Sequence, residues 1–299
     1  MKPLNKIWIN GKIVDLNRLN IPFFNQGLNY GACVYEGIRF YKTNDGSAIF
    51  RLHEHIKRFL YSASVLNMKL NLGEAGLIDG IRAVIKASKL KAGYIRPMAF
   101  YSESKMGINI FNSNVTVAIL IWSWNQEIVS KEVTMKVSKY KRLDPDSVDL
   151  KAKISGYYVN GLLGLIEARK DKYDEPLFLD GDGYLAEGAI NNIFLVKDKN
   201  LYTPKPSNIL GGITRDTIIL ISQDLGFRVL EKDILPKELN KADEVFLTGT
   251  GIEIKIVKKI KDFFSKKSHN SSVSRKIAKY YKSIVQGEVV KYKKWLTYV

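Results

Sequence analysis

Apolar and polar residues alternate with two different periods in the first third of this chain. Two short alternating segments flank Asn10-Gly11, and an Asn-Gly pair between such segments is a strong signal for a β-hairpin. Residues His53 to Met68, and then about Ala75 to Leu90, instead carry apolar side chains at helical spacing. The pattern therefore predicts a hairpin followed by two amphipathic helices.

Six further apolar runs are short enough to be strands. The run Val115 to Ser123 is almost wholly apolar, which indicates a strand buried on both faces. The remaining runs are Tyr94 to Tyr101, Val133 to Tyr140, Pro176 to Leu179, Leu185 to Val196 and Val245 to Thr248.

Two more helices are predicted in the second half. One runs from the turn after Lys153 to about Tyr173. The other follows Gly211-Gly212, with Thr214 as its N-cap and Gly226 just beyond its C-terminus. Helices and strands thus come first and a sheet-rich part second, which predicts an α+β chain made of two α/β units. The expected domains are residues 1–126 and 133–299, joined by a linker at 127–132.

Composition supports a globular enzyme. The chain has 299 residues, of which 45% are hydrophobic and 26% charged, so it can bury one large or two modest cores. No apolar run is long enough for a signal peptide or a membrane span. The single cysteine, Cys33, excludes an intrachain disulfide. These features predict a soluble cytoplasmic protein without a membrane partner.

The net charge of +17 raises the question of nucleic-acid binding, since clustered Lys and Arg neutralise phosphates. Lysine far outnumbers arginine here, however, and the basic residues are spread along the whole chain. The densest run, Lys255 to Lys267, alternates with Ile and Phe and is typical of a strand with a solvated face. The pattern therefore favours small-molecule partners over nucleic acid.

A lysine and a later glutamate suggest pyridoxal-phosphate chemistry. Lys153 lies on a short Gly-containing turn, and Glu187 lies within a predicted strand. In such enzymes a lysine forms a Schiff base with the cofactor, and an acid keeps the pyridine nitrogen protonated. Lys151 is the competing lysine, because it lies two residues earlier in the same segment.

Four loops or strands could bind anions or approach a ligand closely, and each has an ordinary structural alternative. Gly211 to Thr214 offers backbone N–H groups at a helix start, or is a plain Gly-rich turn. Thr248 to Gly251 is a second possible anion site. Tyr94 and Arg96 could grip a carboxylate, or face solvent on an edge strand. Gly37 could admit a ligand, or mark a bulge.

Taken in order, these segments resemble the class IV aminotransferases, and in particular the branched-chain amino acid aminotransferases. The resemblance covers nearly the whole chain. It is carried by Leu28-Asn-Tyr30-Gly31, Tyr35-Glu-Gly-Ile-Arg39, the run Phe50 to Leu60 with His55 and Arg58, Tyr94-Ile-Arg-Pro97, Met106-Gly-Ile-Asn109, Lys153 with Tyr158, Glu187-Gly-Ala189, Gly212-Ile-Thr-Arg-Asp216, Asp243 to Thr250, and Gly287-Glu288 with Trp295-Leu296.

The resemblance implies a fold-type IV pyridoxal-phosphate enzyme, with a small N-terminal α/β domain and a larger C-terminal sheet or pseudo-barrel domain. Lys153 would be the Schiff-base lysine and proton carrier, and pyridoxal 5'-phosphate the cofactor. Cofactor contacts would come from Arg58, Lys153, Tyr158, Glu187, Ile213, Thr214 and Thr250. The substrate pocket would be formed by Tyr30, Tyr35, Gly37, Tyr94, Arg96, Ile108, Trp124, Thr250 and Gly251. No metal is expected.

The implied reaction is amino transfer between Leu, Ile or Val and 2-oxoglutarate, with amino acids and 2-oxo acids as partners. Met106 to Ile108 would reach the site of a neighbouring subunit, so the resemblance implies a homodimer or a larger homo-oligomer. Three alternatives stay open: a D-amino-acid transaminase, an aminodeoxychorismate lyase on the same fold, and a non-catalytic basic binding protein.

Overall fold

The chain is described by a computed structural model that covers residues 4–102, 107–111, 113–124, 132–265 and 272–299. Its residues cluster into two compact units. Unit 1 comprises Met1–Asn125, Ala152–Tyr157 and Ser283–Val299, and unit 2 comprises Gln126–Lys151 and Tyr158–Lys282. The predicted linker remains a prediction, because residues 127–131 lie outside the described residues.

Both units contain helices and strands, in the α+β arrangement expected from the sequence. The strands are β1 Lys6–Ile9, β2 Lys12–Asp15, β3 Cys33–Tyr35, β4 Ile38–Thr43, β5 Gly46–Phe50, β6 Gly93–Tyr101, β7 Val115–Trp122, β8 Val133–Lys141, β9 Glu175–Leu179, β10 Asn192–Lys197, β11 Asn200–Thr203, β12 Val229–Glu231, β13 Glu244–Gly249, β14 Glu253–Ile260, β15 Phe264–Ser265 and β16 Leu296–Tyr298. The helices are α1 Gln26–Tyr30, α2 Leu52–Val65, α3 Glu74–Ser88, α4 Tyr158–Lys170, α5 Ile213–Asp224 and α6 Ser272–Val285. Short 3-10 helices span Leu16–Arg18, Ser155–Tyr157, Pro236–Lys241 and Val290–Trp295.

Unit 1 is built on an eight-stranded sheet of the order β16-β5-β4-β6-β7-β1-β2, with β3 paired to β6. The apolar faces of α2 and α3 pack on it, and Phe59, Leu77 and Ile81 are fully buried against the sheet residues Ile95 and Ile119. Burying each such side chain contributes about 1.5–3 kcal/mol. The core fixes β6, whose outward residues include part of the candidate site.

Unit 2 has a second eight-stranded sheet, β12-β11-β10-β13-β14-β8-β9, with β15 paired to β14. Its buried core includes Met135, Ile193, Val245, Leu247 and Val257, one or more from each central strand. The strands β8, β9 and β14 pair in parallel, whereas β10, β13 and β14 pair antiparallel. The segment from β9 to β10 and the start of α5 carry the polar groups of this unit.

Several predictions from the sequence pattern are confirmed. β1 and β2 form the expected hairpin, and Asn10 and Gly11 both have positive φ, 45° and 94°, as a two-residue turn requires. α2 and α3 lie where the helical spacing placed them. Gly226 follows α5 with φ 83°, and its N–H donates to the Gln223 carbonyl.

Two element boundaries were wrong. The strand predicted over Leu185 to Val196 begins only at Asn192, because the preceding chain turns tightly, with the Gly188 N–H donating to the Asn191 carbonyl. Thr214 is not the N-cap of α5. The helix begins at Ile213 with Gly212 as N-cap, and a Cβ at Gly212 would overlap Oδ1 of Asn192.

β6 is an interior strand, paired with β4 on one side and β7 on the other. The alternative in which Tyr94 and Arg96 face solvent on an edge strand is therefore excluded. Among the helices of the described ranges, none combines the length and apolar character needed to cross a membrane.

Candidate active site

Lys153 is held in unit 1 by its backbone. Its N–H donates to Oγ of Ser62 at 2.8 Å, and its carbonyl accepts from the Tyr35 N–H at 3.2 Å. A few residues on, a Cβ at Gly31 would come within 2.7 Å of the Gly156 Cα, so glycine is needed at this crossing. Nζ of Lys153 lies 4.8 Å from the centre of the Tyr35 ring. A half-buried amine is thus fixed on an aromatic wall.

Lys151, the competing lysine, lies in a different setting. It belongs to unit 2, and its side chain is exposed. Its N–H donates to Oδ1 of Asp149 in a local turn. The half-buried position of Lys153 suits a reacting amine better, since a protected site excludes water.

Glu36 organises a buried cluster beside the N-terminal part of α2. Oε1 accepts from Nε of Arg58 at 2.6 Å, and Oε2 accepts from Nη2 of Arg58 at 3.0 Å. Oε2 also lies 2.7 Å from Nδ1 of His55. Because a bidentate pair fixes the plane of a guanidinium, Glu36 sets the orientation of Arg58, one of the residues predicted to bind phosphate.

Burial and charge act in opposite directions within this cluster. Burial alone would raise the pKa of Glu36, but the adjacent Arg58 and His55 hold it far below its usual value. For His55, burial lowers the pKa and outweighs the attraction of Glu36, and the positive charges of Arg58 and Lys153 lower it further. The cluster is therefore an ionised carboxylate, an arginine cation and a neutral imidazole at neutral pH.

Aromatic rings form a stack above the interior strands of unit 1. The Tyr94 ring stacks with Trp122, at 5.1 Å between ring centres, and with Trp124, at 5.0 Å. The indole Nε1 of Trp124 is buried without a hydrogen-bond partner in the part of the chain that the structure describes. The space that a side chain at Gly37 would need is occupied by the Tyr94 hydroxyl.

Arg96 lies at one end of this stack. Its guanidinium carbon is 4.6 Å from the Tyr35 ring centre, 5.6 Å from that of Tyr94 and 5.7 Å from that of Trp122. Nη2 lies 3.4 Å from the Tyr94 hydroxyl. Nε is buried with no hydrogen-bond partner among the described residues. An arginine with free donor capacity beside a lysine-bearing wall can receive a carboxylate.

Within a single chain, Tyr30 and Ile108 do not belong to the aromatic stack beside Arg96. Ile108 is 77% exposed, and Tyr30 is 50% exposed at the end of α1. The side chain of Gln26 donates to the Gly107 carbonyl at 2.6 Å and connects α1 with the 107–111 stretch. Met106, predicted with Ile108, lies outside the described residues.

Glu187 is the centre of the polar network in unit 2. Oε1 accepts from Nε of Arg142 at 2.7 Å and from the Leu210 N–H at 3.3 Å. Oε2 accepts from Nδ2 of Asn192 at 3.0 Å. Arg142 also donates to Oδ1 of Asn160. The buried carboxylate is thus paired with a guanidinium and held by three donors, as an acid serving a pyridine nitrogen requires.

Asn192 connects Glu187 with the start of α5. Besides Glu187 it donates to the Leu210 carbonyl at 3.0 Å, and Gly212 leaves room for its side chain. Because the N-cap is a glycine, it places no side-chain acceptor over the first turn. Ile213 and the buried Thr214 therefore begin a twelve-residue helix whose positive end suits an anion.

The remaining predicted residues of unit 2 lie at element ends. Tyr158 is the first residue of α4. Thr250 and Gly251, both half-buried, follow the end of β13 at Gly249. At that end, Oγ1 of Thr248 is buried without a hydrogen-bond partner within the described ranges.

Sequence reasoning missed several members of the site. Arg142, Asn192 and Glu36 were not singled out, and neither was Trp122. Two of them carried a recognisable signal, since Glu36 is a charged residue among apolar and aromatic ones, and Arg142 lies two residues beyond the end of a predicted strand. Nothing local in the sequence marks Asn192 or Trp122.

The residues present fit pyridoxal phosphate. Unit 1 provides an amine on an aromatic wall and an arginine oriented by Glu36. Unit 2 provides a buried, neutralised carboxylate and a helix start without a side-chain cap. These are the donor and acceptor types that the aldehyde, the phosphate and the ring nitrogen require.

Comparisons with known proteins agree with this chemistry. The family model described as amino-transferase class IV matches residues 33–260. A branched-chain-amino-acid aminotransferase of Pseudomonas aeruginosa is 34% identical over 297 residues, covering 98% of this chain and 97% of that protein.

Solved structures of relatives are similar over nearly their full length. The branched-chain aminotransferase of the thermophilic archaeon Thermoproteus uzoniensis, solved with norvaline, superposes with a TM-score of 0.92 at 34% identity, covering 98% of each chain. The branched-chain amino acid aminotransferase of Thermobaculum terrenum, solved in its holo form with PLP, gives a TM-score of 0.92 at 26% identity, covering 99% of each chain. These likenesses confirm the fold-type IV architecture expected from the sequence.

Proposed function

Since this chain belongs to the class IV amino-transferases, we propose that it exchanges amino groups between branched-chain L-amino acids and 2-oxoglutarate. One observation carries the proposal furthest. Nζ of Lys153 and the guanidinium carbon of Arg96 lie 4.8 Å and 4.6 Å from the centre of the same Tyr35 ring. The amine that would react and the cation that would bind a carboxylate thus both lie next to the Tyr35 ring.

The family uses pyridoxal phosphate, and the residues described above would hold it. When bound, the cofactor supplies an electrophilic carbon and an electron-withdrawing ring. Lys153 would hold it through Nζ and would then move a proton at the substrate Cα. Glu187, paired with Arg142, would accept a hydrogen bond from the ring nitrogen. Tyr158 would donate to the ring oxygen.

Phosphate binding is assigned to groups in both units. Arg58 offers a guanidinium whose plane is fixed by Glu36. The N–H groups of Ile213 and Thr214 begin α5, and Thr250 adds a hydroxyl. A fixed cation and helix N–H groups are each suited to a dianionic group.

The substrate side chain meets mostly rings. Tyr35, Tyr94 and Trp124 offer apolar faces, so a leucine, isoleucine or valine side chain can pack there. Gly37 supports this wall by leaving room for Tyr94. Thr250 and Gly251 of unit 2 are proposed as further substrate contacts. The 2-oxoglutarate side-chain carboxylate pairs with Arg96 instead.

We also propose a homodimer or larger homo-oligomer. Unit 1 exposes a group of large apolar side chains around α1 and residues 107–111, namely Ile21, Phe23, Phe24, Leu28, Tyr30, Ile108 and Phe111. Contiguous exposed apolar surface of this kind marks an interaction site. In an oligomer, Tyr30 and Ile108 would complete the pocket of a second copy.

The reaction can be tested directly with the purified protein and added cofactor. Leucine, isoleucine and valine are each supplied with 2-oxoglutarate, and glutamate is measured. The proposal expects glutamate from all three and none from D-alanine. Activity with D-alanine but not with the three branched-chain substrates would assign the chain to the D-amino-acid alternative. Absence of both amino transfer and cofactor absorption would favour a binding protein.

A further inference from the structure

Arg96 is surrounded by aromatic rings rather than by acids. Tyr35, Tyr94 and Trp122 all lie within 6 Å of its guanidinium carbon, the range in which a ring face attracts a cation. No carboxylate forms an ion pair with it among the described residues, and its Nε is buried without a hydrogen bond. The positive charge of Arg96 is therefore stabilised by the electron-rich faces of these rings and not by a carboxylate.

This setting bears on how one pocket can accept two unlike side chains. A leucine side chain displaces water from Arg96 and offers no acceptor in return. An unpaired buried cation carries a large desolvation penalty. A glutamate side chain removes that penalty by supplying a carboxylate. The protein therefore needs a partner for Arg96 that is present with the apolar substrate and compatible with the charged one.

The three rings are held firmly enough to be that partner. Tyr94 and Trp122 face each other across β6 and β7 in register, and their rings stack at an angle of 27°. The Tyr94 ring also stacks with Trp124, at an angle of 24°. Trp122 thus fixes the ring next to Arg96 and also contributes its own face.

We propose that Tyr35, Tyr94 and Trp122 form an aromatic cage that stabilises the uncompensated charge of Arg96 when an apolar substrate is bound. Trp122 is then a specificity-determining residue, and it acts through Arg96. With a branched-chain side chain in the pocket, cation–π attraction takes the place of an ion pair. With glutamate, the carboxylate provides the main stabilisation and the rings matter less. This inference rests on the proposed function.

Ligand binding distinguishes an apolar from a charged side chain in the pocket without any turnover. The ligands are 4-methylvalerate, which is leucine without its amino group, and glutarate, which is glutamate without its amino group. Their dissociation constants are measured by calorimetry for the holoenzyme and its Trp122→Leu and Trp122→Phe variants. Trp122→Leu should weaken 4-methylvalerate about fivefold, the loss expected for one cation–π contact, and should change glutarate clearly less. Trp122→Phe, which keeps a ring, should restore most of the loss. Equal losses for both ligands in Trp122→Leu would overturn the cage.

A sharper test changes the electrons and keeps the shape. Fluorinated tryptophans placed at position 122 alone reduce the negative potential of the ring face stepwise. The binding ratio of 4-methylvalerate to glutarate should fall with each added fluorine. The matched control places the same residues at Trp295, which packs over Arg51 at 5.0 Å and should leave the ratio unchanged. A ratio that does not follow fluorination at position 122 would refute the cage.

The two proposals can fail separately. If the holoenzyme does not turn over leucine, isoleucine or valine, the branched-chain assignment fails whatever the binding ratios are. If it turns them over and the binding ratio ignores the ring at position 122, only the cage fails.

Discussion

The hydroxyl of Tyr94 occupies the space in which a Cβ at Gly37 would lie. Gly37 connects β3 to β4, and Tyr94 lies on β6 opposite Arg39. The glycine is therefore needed for the packing of a neighbouring side chain, since Gly37 has no positive φ. Because Gly37 has no side chain, the Tyr94 ring can take its position in the aromatic stack beside Arg96.

Replacing Gly37 by alanine should displace Tyr94 and disturb the pocket with little loss of fold. We expect kcat/KM for leucine and for glutamate to fall together, by about tenfold or more, as a misplaced pocket group costs that much. Steady-state kinetics measures this, and near-UV circular dichroism reports the changed stack. Gly73→Ala is the control, because nothing lies within 4 Å of a Cβ there. Unchanged kinetics in Gly37→Ala would contradict the packing argument.

Arg96→Met keeps an unbranched chain and removes the charge. kcat/KM should fall about 10²-fold for glutamate, through loss of a charge-assisted hydrogen-bonded pair. The loss for leucine should be clearly smaller, since leucine offers no acceptor. Initial rates with each amino donor and a common 2-oxo acid give the comparison. Equal losses would argue against a carboxylate at Arg96.

Lys153→Ala should abolish the visible absorption of the lysine-bound cofactor and essentially all amino transfer, because it removes the amine that would hold the cofactor. Lys151→Ala should retain both. Borohydride reduction followed by peptide mapping identifies the attached residue in the wild-type protein. A label on any lysine other than Lys153 would overturn the assignment.

Glu187→Gln should keep the cofactor bound and slow the amino-acid half-reaction by orders of magnitude. Gln keeps one acceptor oxygen, which can serve Arg142 and the Leu210 N–H, while its amide nitrogen faces the Asn192 donor. It cannot keep the ring nitrogen protonated. Single-turnover kinetics with leucine measures the effect. A rate equal to that of the wild type would exclude Glu187 from this role.

Arg142→Met should also destabilise the protein, because it leaves a buried carboxylate without its counter-charge.

His55 should make stability depend on pH. Burial lowers its folded-state pKa below the ordinary value of 6.5, so the unfolded chain binds a proton that the folded chain does not. Stability is therefore present above pH 6.5 and is lost as the pH falls below it. The slope for one proton is at most about 1.4 kcal/mol per pH unit.

Urea unfolding on either side of pH 6.5 tests this. His55→Gln should flatten the slope, whereas His53→Gln, on an exposed residue of the same helix, should keep it. A second loss, below the ordinary pKa of 4.5, belongs to Glu36, whose pKa is lowered in the fold. A His55→Gln variant with the wild-type slope would refute the assignment.

Local patterns in the sequence predicted the elements that depend on local chemistry. Asn10-Gly11 specified a hairpin turn, and the apolar spacing of α2 and α3 specified two helices, because each needs only neighbouring residues. The strand predicted from Leu185 was too long, since the chain turns tightly after Glu187, where the Gly188 N–H donates to the Asn191 carbonyl. Gly212 was overlooked as an N-cap because its reason, the side chain of Asn192, lies in another element.

The residues of the candidate site likewise divide into those that the local sequence marks and those that depend on contacts with distant segments. Lys153 and Glu187 were found through their chemistry and through resemblance to a family. Arg142, Glu36 and Trp122 act by contacts between distant segments, as Arg142 does on Glu187. Such pairs become visible only when the sheet brings them together, and one sequence carries no local record of them.

The pairing of β16 with β5, in which Leu296 lies opposite Phe50, has a consequence for synthesis. The outer strand of unit 1 is made long after the strand it covers. Until residue 298 has left the ribosome, β5 presents an open edge to other chains, and the late, non-local pairing makes completion slow. Because Lys153 belongs to the same unit, a nascent chain already carries the reactive amine before its sheet is closed. We therefore expect chaperone dependence to be greatest between translation of residue 50 and residue 298.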